Sequence, residues 1–199
     1  MTAVDPSTPV PWSAGRWTSP PARVDGTDGT DLVVAPEGGS DAWRVTAYGF
    51  THDDAPALLA PLPTPGAVEV TFTVDFAEQF DQAGVMLRVD ESTWLKAGVE
   101  LADGVPQVGA VVTLGRSDWS VRPVPGWAGR RVTVRASRTG DAVTLRARVD
   151  DSPFELLRVA PFPADAEVAS GPYCCAPTRA GLAVRFHSWR TGPADAALH

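Results

Sequence analysis

The chain has 199 residues, 44% of them hydrophobic and 21% charged, with a formal net charge of −7 at pH 7. That length suits one large domain able to bury a substantial core, and the acidic balance argues against a nucleic-acid partner, which needs a concentrated basic footprint. No window approaches the roughly 20 apolar residues that span a bilayer, and the opening MTAVDPSTPVPWSAGRW lacks the basic region and apolar run of a secretory signal, so the expectation is a cytoplasmic protein with no membrane partner.

The 18 Gly and 19 Pro punctuate short apolar runs, the pattern of all-β sandwiches and barrels. Residues 1–14 are Pro- and Ser-rich and are expected to form a flexible arm pinned by Trp12 and Trp17. Residues 15–19 read as a short strand, 25–31 as a turn and 32–34 as a buried strand. Residues 41–50 alternate Trp43, Val45 and Ala47 against Arg44, Thr46 and Tyr48, and read as a strand followed by a loop with His52, Asp53 and Asp54. Residues 57–60 give a brief strand; the three prolines of 61–66 predict a loop that cannot continue a ladder. In 67–76, Val68, Val70, Phe72, Val74 and Phe76 take one face and polar residues the other.

Three consecutive strands follow within Asp81–Ser120. Ala83, Val85, Leu87, Val89, Leu95, Ala97, Val99, Leu101, Val108, Ala110, Val112 and Leu114 share the expected core face. The opposite face carries Gln82, Met86, Arg88, Trp94, Lys96, Gly98, Glu100, Gly109, Val111 and Thr113. Ser117, Asp118 and Trp119 are assigned to a loop at its rim. Residues 129–137 and 142–150 predict a hairpin turning at Gly140. Residues 154–159 predict a strand and 170–177 a structured loop. A last strand, 181–190, sets Leu182, Val184 and Phe186 against Arg185, His187 and Trp189, and a tail of 191–199 is expected to fray. With no sustained helical period, the reading is an all-β, two-sheet antiparallel jelly-roll sandwich, a single domain over 15–190.

Cys174 and Cys175 are adjacent, so they make no disulfide framework. Sugar recognition calls for carboxylates and cations to bind hydroxyls, with aromatic cover for the apolar face of the ring. Gln82, Arg88, Lys96, Glu100, Trp94 and Trp119 supply those types; the competing reading is an ion-paired, solvated sheet face. Glycoside hydrolysis needs two carboxylates about the bond. Glu100 is the candidate acid or base, but no partner is evident among Asp81, Asp90, Asp103 and Asp118. The His52-Asp53-Asp54 run reads as a polar loop, a Cys174/His187 pair as structural, and neither metal nor cofactor is expected.

The combination Asp81-Gln82-Ala83-Gly84, Trp94-x-Lys96-x-Gly98-x-Glu100, Val111-Val112-Thr113 and Ser117-Asp118-Trp119-Ser120 resembles the regulation-of-enolase-protein family. Asp41-x-Trp43-Arg44-x-Thr46-x-Tyr48-Gly49-Phe50 and Gly171-Pro172 with Cys174 extend the likeness, which runs from about Trp17 to Trp189. Members are mostly bacterial and uncharacterised, and the resemblance implies a concanavalin A-like jelly roll of lectin/glucanase type with a cleft. On that footing Thr113 and Cys174 join Gln82, Arg88, Trp94, Lys96 and Trp119 as candidate ligand contacts. The Glu-x-Asp-x-x-Glu strand signature of glucanases on this fold is absent. The expected ligand is a small molecule, a carbohydrate or related polar compound, with glycoside catalysis through Glu100 and a regulatory protein partner as the alternatives.

Overall fold

The computed structural model describes residues 7–197; residues 1–6 of the expected arm and the last two of the expected tail lie outside them. Seven strands come first: β1 (Thr8–Pro9), β2 (Arg16–Trp17), β3 (Arg23–Asp25), β4 (Leu32–Ala35), β5 (Ala42–Arg44), β6 (Thr51–Asp53) and β7 (Leu58–Leu62). The long strands β8 (Gly66–Thr73), β9 (Gln82–Arg88), β10 (Thr93–Ala102) and β11 (Val105–Leu114) follow. β12 (Ser117–Pro123), β13 (Arg131–Thr139), β14 (Ala142–Val149), β15 (Glu155–Pro161), β16 (Val168–Cys175) and β17 (Val184–Gly192) complete the set. Among the described residues the helical elements are two 3₁₀ turns, Trp12–Ala14 and Pro125–Trp127.

One sheet has the order β15-β14-β13-β8-β17-β4-β3, with β1 added to β17; the other has the order β12-β11-β10-β9-β16-β7-β2. The pairings within both are antiparallel. Tight reversals come from local chemistry. Asp103 and Gly104 both have positive φ (54° and 75°) and join β10 to β11, the Asp-Gly signature of a two-residue hairpin loop.

The core lies between the sheets and is built by alternation. Ala83, Val85 and Leu87 of β9, Leu95, Ala97 and Val99 of β10, and Val108, Ala110 and Val112 of β11 meet Val68, Val70 and Phe72 of β8 and Leu145 of β14. Their burial is the main stabilising term of the fold, at roughly 25 cal/mol per Å² of apolar surface removed from water.

Four local expectations are corrected. Residues 117–119 are not a loop but the start of edge strand β12, with Trp119 opposite Val111. Residues 170–175 belong to β16, paired with β9 across its length. Pro172 is tolerated there because the ladder to β7 stops at Ser170, so no partner on that side needs its missing N–H. Pro61 likewise sits inside β7, beyond the Leu58–Leu59 stretch that β2 covers. Trp189 points inward, 2% exposed, because a register shift between Phe186 and Ser188 breaks the two-residue period of β17. There it stacks on Trp12 at 6.5 Å.

Candidate functional site

Residues 41–57 leave the sandwich and fold over the outer face of the β12-to-β2 sheet. β5 and β6 pair as a hairpin, Trp43 opposite His52, where alternation had predicted one strand followed by a loop. The chain reverses there because Val45, Ala47 and Gly49 all adopt positive φ (64°, 63° and 75°). Such angles are strained for a β-branched residue. Short turn bonds hold them, including Val45 N–H to Phe50 O at 2.7 Å and the Trp43 indole to Thr46 O at 3.0 Å.

Three of the residues expected to touch a ligand instead fasten this hairpin. Arg88 donates from Nη1 and Nη2 to Oδ1 and Oδ2 of Asp53 at 2.5 and 2.7 Å, a bidentate pair between β9 and β6. Thr113 Oγ1 lies 2.9 Å from Ser117 Oγ, which accepts the Arg44 backbone N–H at 2.8 Å. Trp94, fully buried, packs in a second apolar cluster with Ala42, Trp43, Ala55, Met86, Val111, Tyr173 and Cys175. A solvated sheet face is thereby excluded for this half of the surface. Cys174 and Cys175 are both free and buried on opposite faces of β16, Cys174 in the inter-sheet core and Cys175 in the second cluster. Cys174 is therefore removed from the cleft.

Gln82, Lys96, Glu100 and Trp119 do come together. They line a cleft of about 370 Å³ whose other walls are Asp41, Trp43, Tyr48, Phe50 and His52 from the hairpin, with Phe80 and Pro177 at its end. The register places Glu100 directly opposite Gln82. A smaller recess of about 10 Å³ shares Gln82, Lys96, Glu100 and Trp119 with it and is also lined by Gly98, Gly109 and Tyr173. Its floor is flat because Gly84, Gly98 and Gly109 sit side by side on β9, β10 and β11. A Cβ on Gly98 would stand 2.0 Å from the Ala83 carbonyl oxygen, so only glycine permits this approach of the strands.

The hairpin wall is a run of aromatic contacts. Tyr48 stacks on Phe50 at 5.4 Å and 13°, while Trp43 meets Tyr48 edge-on at 5.6 Å and His52 meets Phe50 edge-on at 5.1 Å. Tyr48, Phe50 and, on the facing rim, Trp119 are 59%, 44% and 40% exposed. Large aromatic rings left in water at the mouth of a cleft are surfaces for a partner or ligand.

The polar floor is electrostatically coupled. Lys96, 4% exposed, donates from Nζ to Asp41 Oδ1 at 3.0 Å and lies 5.9 Å from the Tyr173 ring centroid. Burial works against the charge on Asp41, but Lys96 and the Ala42 N–H outweigh it and hold the carboxyl below its ordinary value. Burial likewise opposes the Lys96 ammonium, and the charge of Asp41 more than restores it. Glu100 goes the other way. Burial raises it to about 7, Lys96 draws it down, nearby Asp41 pushes it up, and the Trp119 indole draws it partly back. Gln82 Oε1 and Glu100 Oε1 are buried with no hydrogen-bond partner among the described residues. Such atoms are rare in native proteins, and these two also border the cleft.

Sequence reasoning missed Asp41, Trp43, Tyr48, Phe50, His52 and Tyr173 as parts of the site. A signal did exist, since Tyr48-Gly49-Phe50 puts two aromatics around a glycine. A strand reading of 41–50 hid it by placing Tyr48 and Phe50 on the face opposite Trp43. Among the described residues no group of three or more His, Cys, Asp or Glu is placed to hold a metal ion. Among the same residues no helix is long and apolar enough to cross a membrane.

The fold is a two-sheet antiparallel β-sandwich, an architecture shared with solved lectin and GH43 structures. The GH43 protein BlXynB from Bacillus licheniformis (K247S mutant) superposes with a TM-score of 0.67 at 11% identity, over 90% of this chain and 37% of that one. Lectin I-B4 from Griffonia simplicifolia, in its metal-free form, gives 0.57 at 14%, over 90% and 93%. These likenesses concern the fold alone. The chain belongs to the family described as "Protein of unknown function (DUF1349)", whose model matches residues 17–194. Regulation of enolase protein 1 of Saccharomyces cerevisiae is 35% identical over 188 residues, 94% of each chain. A crystal structure of a functionally unknown protein from the same organism superposes with a TM-score of 0.86 at 32% identity, covering 92% of this chain and 98% of that one.

Proposed function

We propose that the protein is a binding module that holds a small carbohydrate, or a cyclic polar compound like it, between the 42–53 hairpin and Trp119. The observation that carries this reading is the pairing of exposed aromatic rings on both rims with two unpartnered, buried oxygens, on Gln82 and Glu100, below them. Stacking would take the apolar face of a ring, and the oxygens would accept hydrogen bonds from its edge. The volume, about 370 Å³, is within the range of small-molecule sites. Two reduced thiols accord with a cytoplasmic setting.

A panel of mono- and disaccharides, amino sugars included, tests it by thermal shift. A ligand at 100 times its Kd stabilises by about 2.7 kcal/mol, which is ~5–11 °C for a domain of this size. Glu100→Ala and Trp119→Ala should each remove the shift while leaving a folded protein. A panel that moves the wild-type Tm nowhere sinks the reading.

One observation favours a second reading, catalysis on a sugar. Two carboxyls of the same cleft are pushed in opposite directions, Glu100 up to about 7 and Asp41 down. Such separation is how acid and base roles are divided between carboxyl groups. Release of product from a glycan panel, lost in Glu100→Gln, would establish it. The name of the S. cerevisiae relative supports a regulatory protein partner as a third reading.

A further inference from the structure

Of the two unpartnered oxygens of the cleft, Gln82 Oε1 is an acceptor and Glu100 Oε1 is one when Glu100 is ionised, a state that an adjacent cation favours. Gln82, 3% exposed, gives its amide N–H to Phe80 O at 3.1 Å, which leaves Oε1 facing the recess without a donor. Across the β9–β10 register, Glu100 Oε1 is in the same condition. A ligand hydroxyl carries one O–H and can satisfy only one of them. An ammonium carries three N–H donors and can satisfy both.

The charges point the same way. Lys96, the lysine of the lining, is already committed to Asp41 at 3.0 Å, and His52 turns Nδ1 toward Asp54 at 3.6 Å. With Lys96 paired to Asp41, Glu100 is the carboxyl whose charge is left over, so the cleft attracts cations to the extent that Glu100 is ionised and offers an anion no uncommitted lysine. The recess of about 10 Å³ has room for one water-sized group. The rings of Trp119 and Tyr173 line it, and aromatic faces attract an ammonium.

We propose that the cleft selects a ligand bearing a cationic amine, an amino sugar over its neutral or phosphorylated counterpart, with the ammonium seated between Glu100 and Gln82 and the sugar ring against the hairpin aromatics. The inference rests on the carbohydrate reading for the ring and on the orphaned acceptors for the charge.

Isothermal titration at pH 7 with matched pairs tests it: glucosamine and glucose, galactosamine and galactose, mannosamine and mannose, together with glucose 6-phosphate and the ringless amine 1,4-diaminobutane. At least one hexosamine should bind about tenfold or more tighter than its hexose, the worth of a charged hydrogen bond, and the phosphate should bind weakest. Glu100→Gln, which keeps the shape and an acceptor but loses the charge, should cut hexosamine affinity about tenfold and bring the hexosamine-to-hexose affinity ratio to within about twofold of one. Its melting curve checks that it folds. Equal affinity within every pair, or preference for the phosphate, overturns the amine proposal and leaves ring binding standing. Binding of the diamine without any sugar overturns the ring reading and keeps the charge selection. Binding of none of them overturns both.

Discussion

Glu100→Gln should make the protein more stable at pH 8 and nearly unchanged at pH 5. In the unfolded chain the carboxyl titrates near 4.5; in the fold, burial, with the charge of Asp41 nearby, raises it to about 7 against the pull of Lys96 and the Trp119 indole. Between those values the folded state keeps a proton that the unfolded chain has released. Stability therefore falls as pH climbs from about 4.5 to about 7, and the deficit is complete above that. At about 1.36 kcal/mol per pH unit the gap corresponds to about 3 kcal/mol. Glutamine is isosteric and never ionises, so it removes this deficit above pH 7, and below pH 5 the wild-type side chain is neutral in the fold as well. With ~2–4 °C per kcal/mol for a chain of this length, the variant should melt ~6–12 °C above wild type at pH 8. At pH 5 the two should lie within a few degrees. The groups facing Glu100 that could distort the profile are Lys96, Asp41, Tyr173 and Cys175. Scanning calorimetry at pH 5, 6, 7 and 8 on both proteins gives the comparison directly. A Tm difference that does not change with pH, or a variant less stable at pH 8, refutes the picture of a carboxylate ionising against burial.

The buried pair of Lys96 and Asp41 yields the opposite kind of result. Lys96→Met leaves Asp41 uncompensated and should cost about 3–5 kcal/mol, while Lys96→Met with Asp41→Asn should recover at least half; a coupling below about 0.5 kcal/mol in that cycle would show that the two groups act independently. Val45→Gly should raise Tm by ~2–4 °C, since glycine adopts the 64° φ without the roughly 1 kcal/mol a β-branched residue incurs. A lower Tm would mean that the valine side chain contributes more by packing than its backbone costs.

Much of this molecule was legible from residue order. The division of β9, β10 and β11 into a core face and a polar face follows from a period of two, and the residues named from it in the middle of each strand are buried between the sheets, while Leu114 at the end of β11 is 48% exposed and Leu101 lies outside the inter-sheet cluster. Gln82, Lys96 and Glu100 were found by the same rule and share one cleft with Trp119, which the residue pattern assigns to a rim loop. The rule failed where the backbone stopped being regular. A register shift in β17 turned Trp189 inward, and positive φ at Val45 and Ala47 bent an apparent strand into the aromatic wall. Cys174 and Cys175 show the narrower difficulty, because a Gly-Pro pair made their strand resemble a loop and hid which thiol faces which way.

The sequence by itself determined that this is a two-sheet β-sandwich and which side chains share a face, because alternation is imposed by the backbone one residue at a time. Which part of that face stays open was decided only by tertiary structure. Asp41 reaches Lys96 across 55 positions and Asp53 reaches Arg88 across 35. These distant contacts lay the hairpin over Trp94, Met86 and Thr113 and stop short of Glu100. Covered residues became scaffold and uncovered ones became the site, since burial depends on what arrives from elsewhere in the chain.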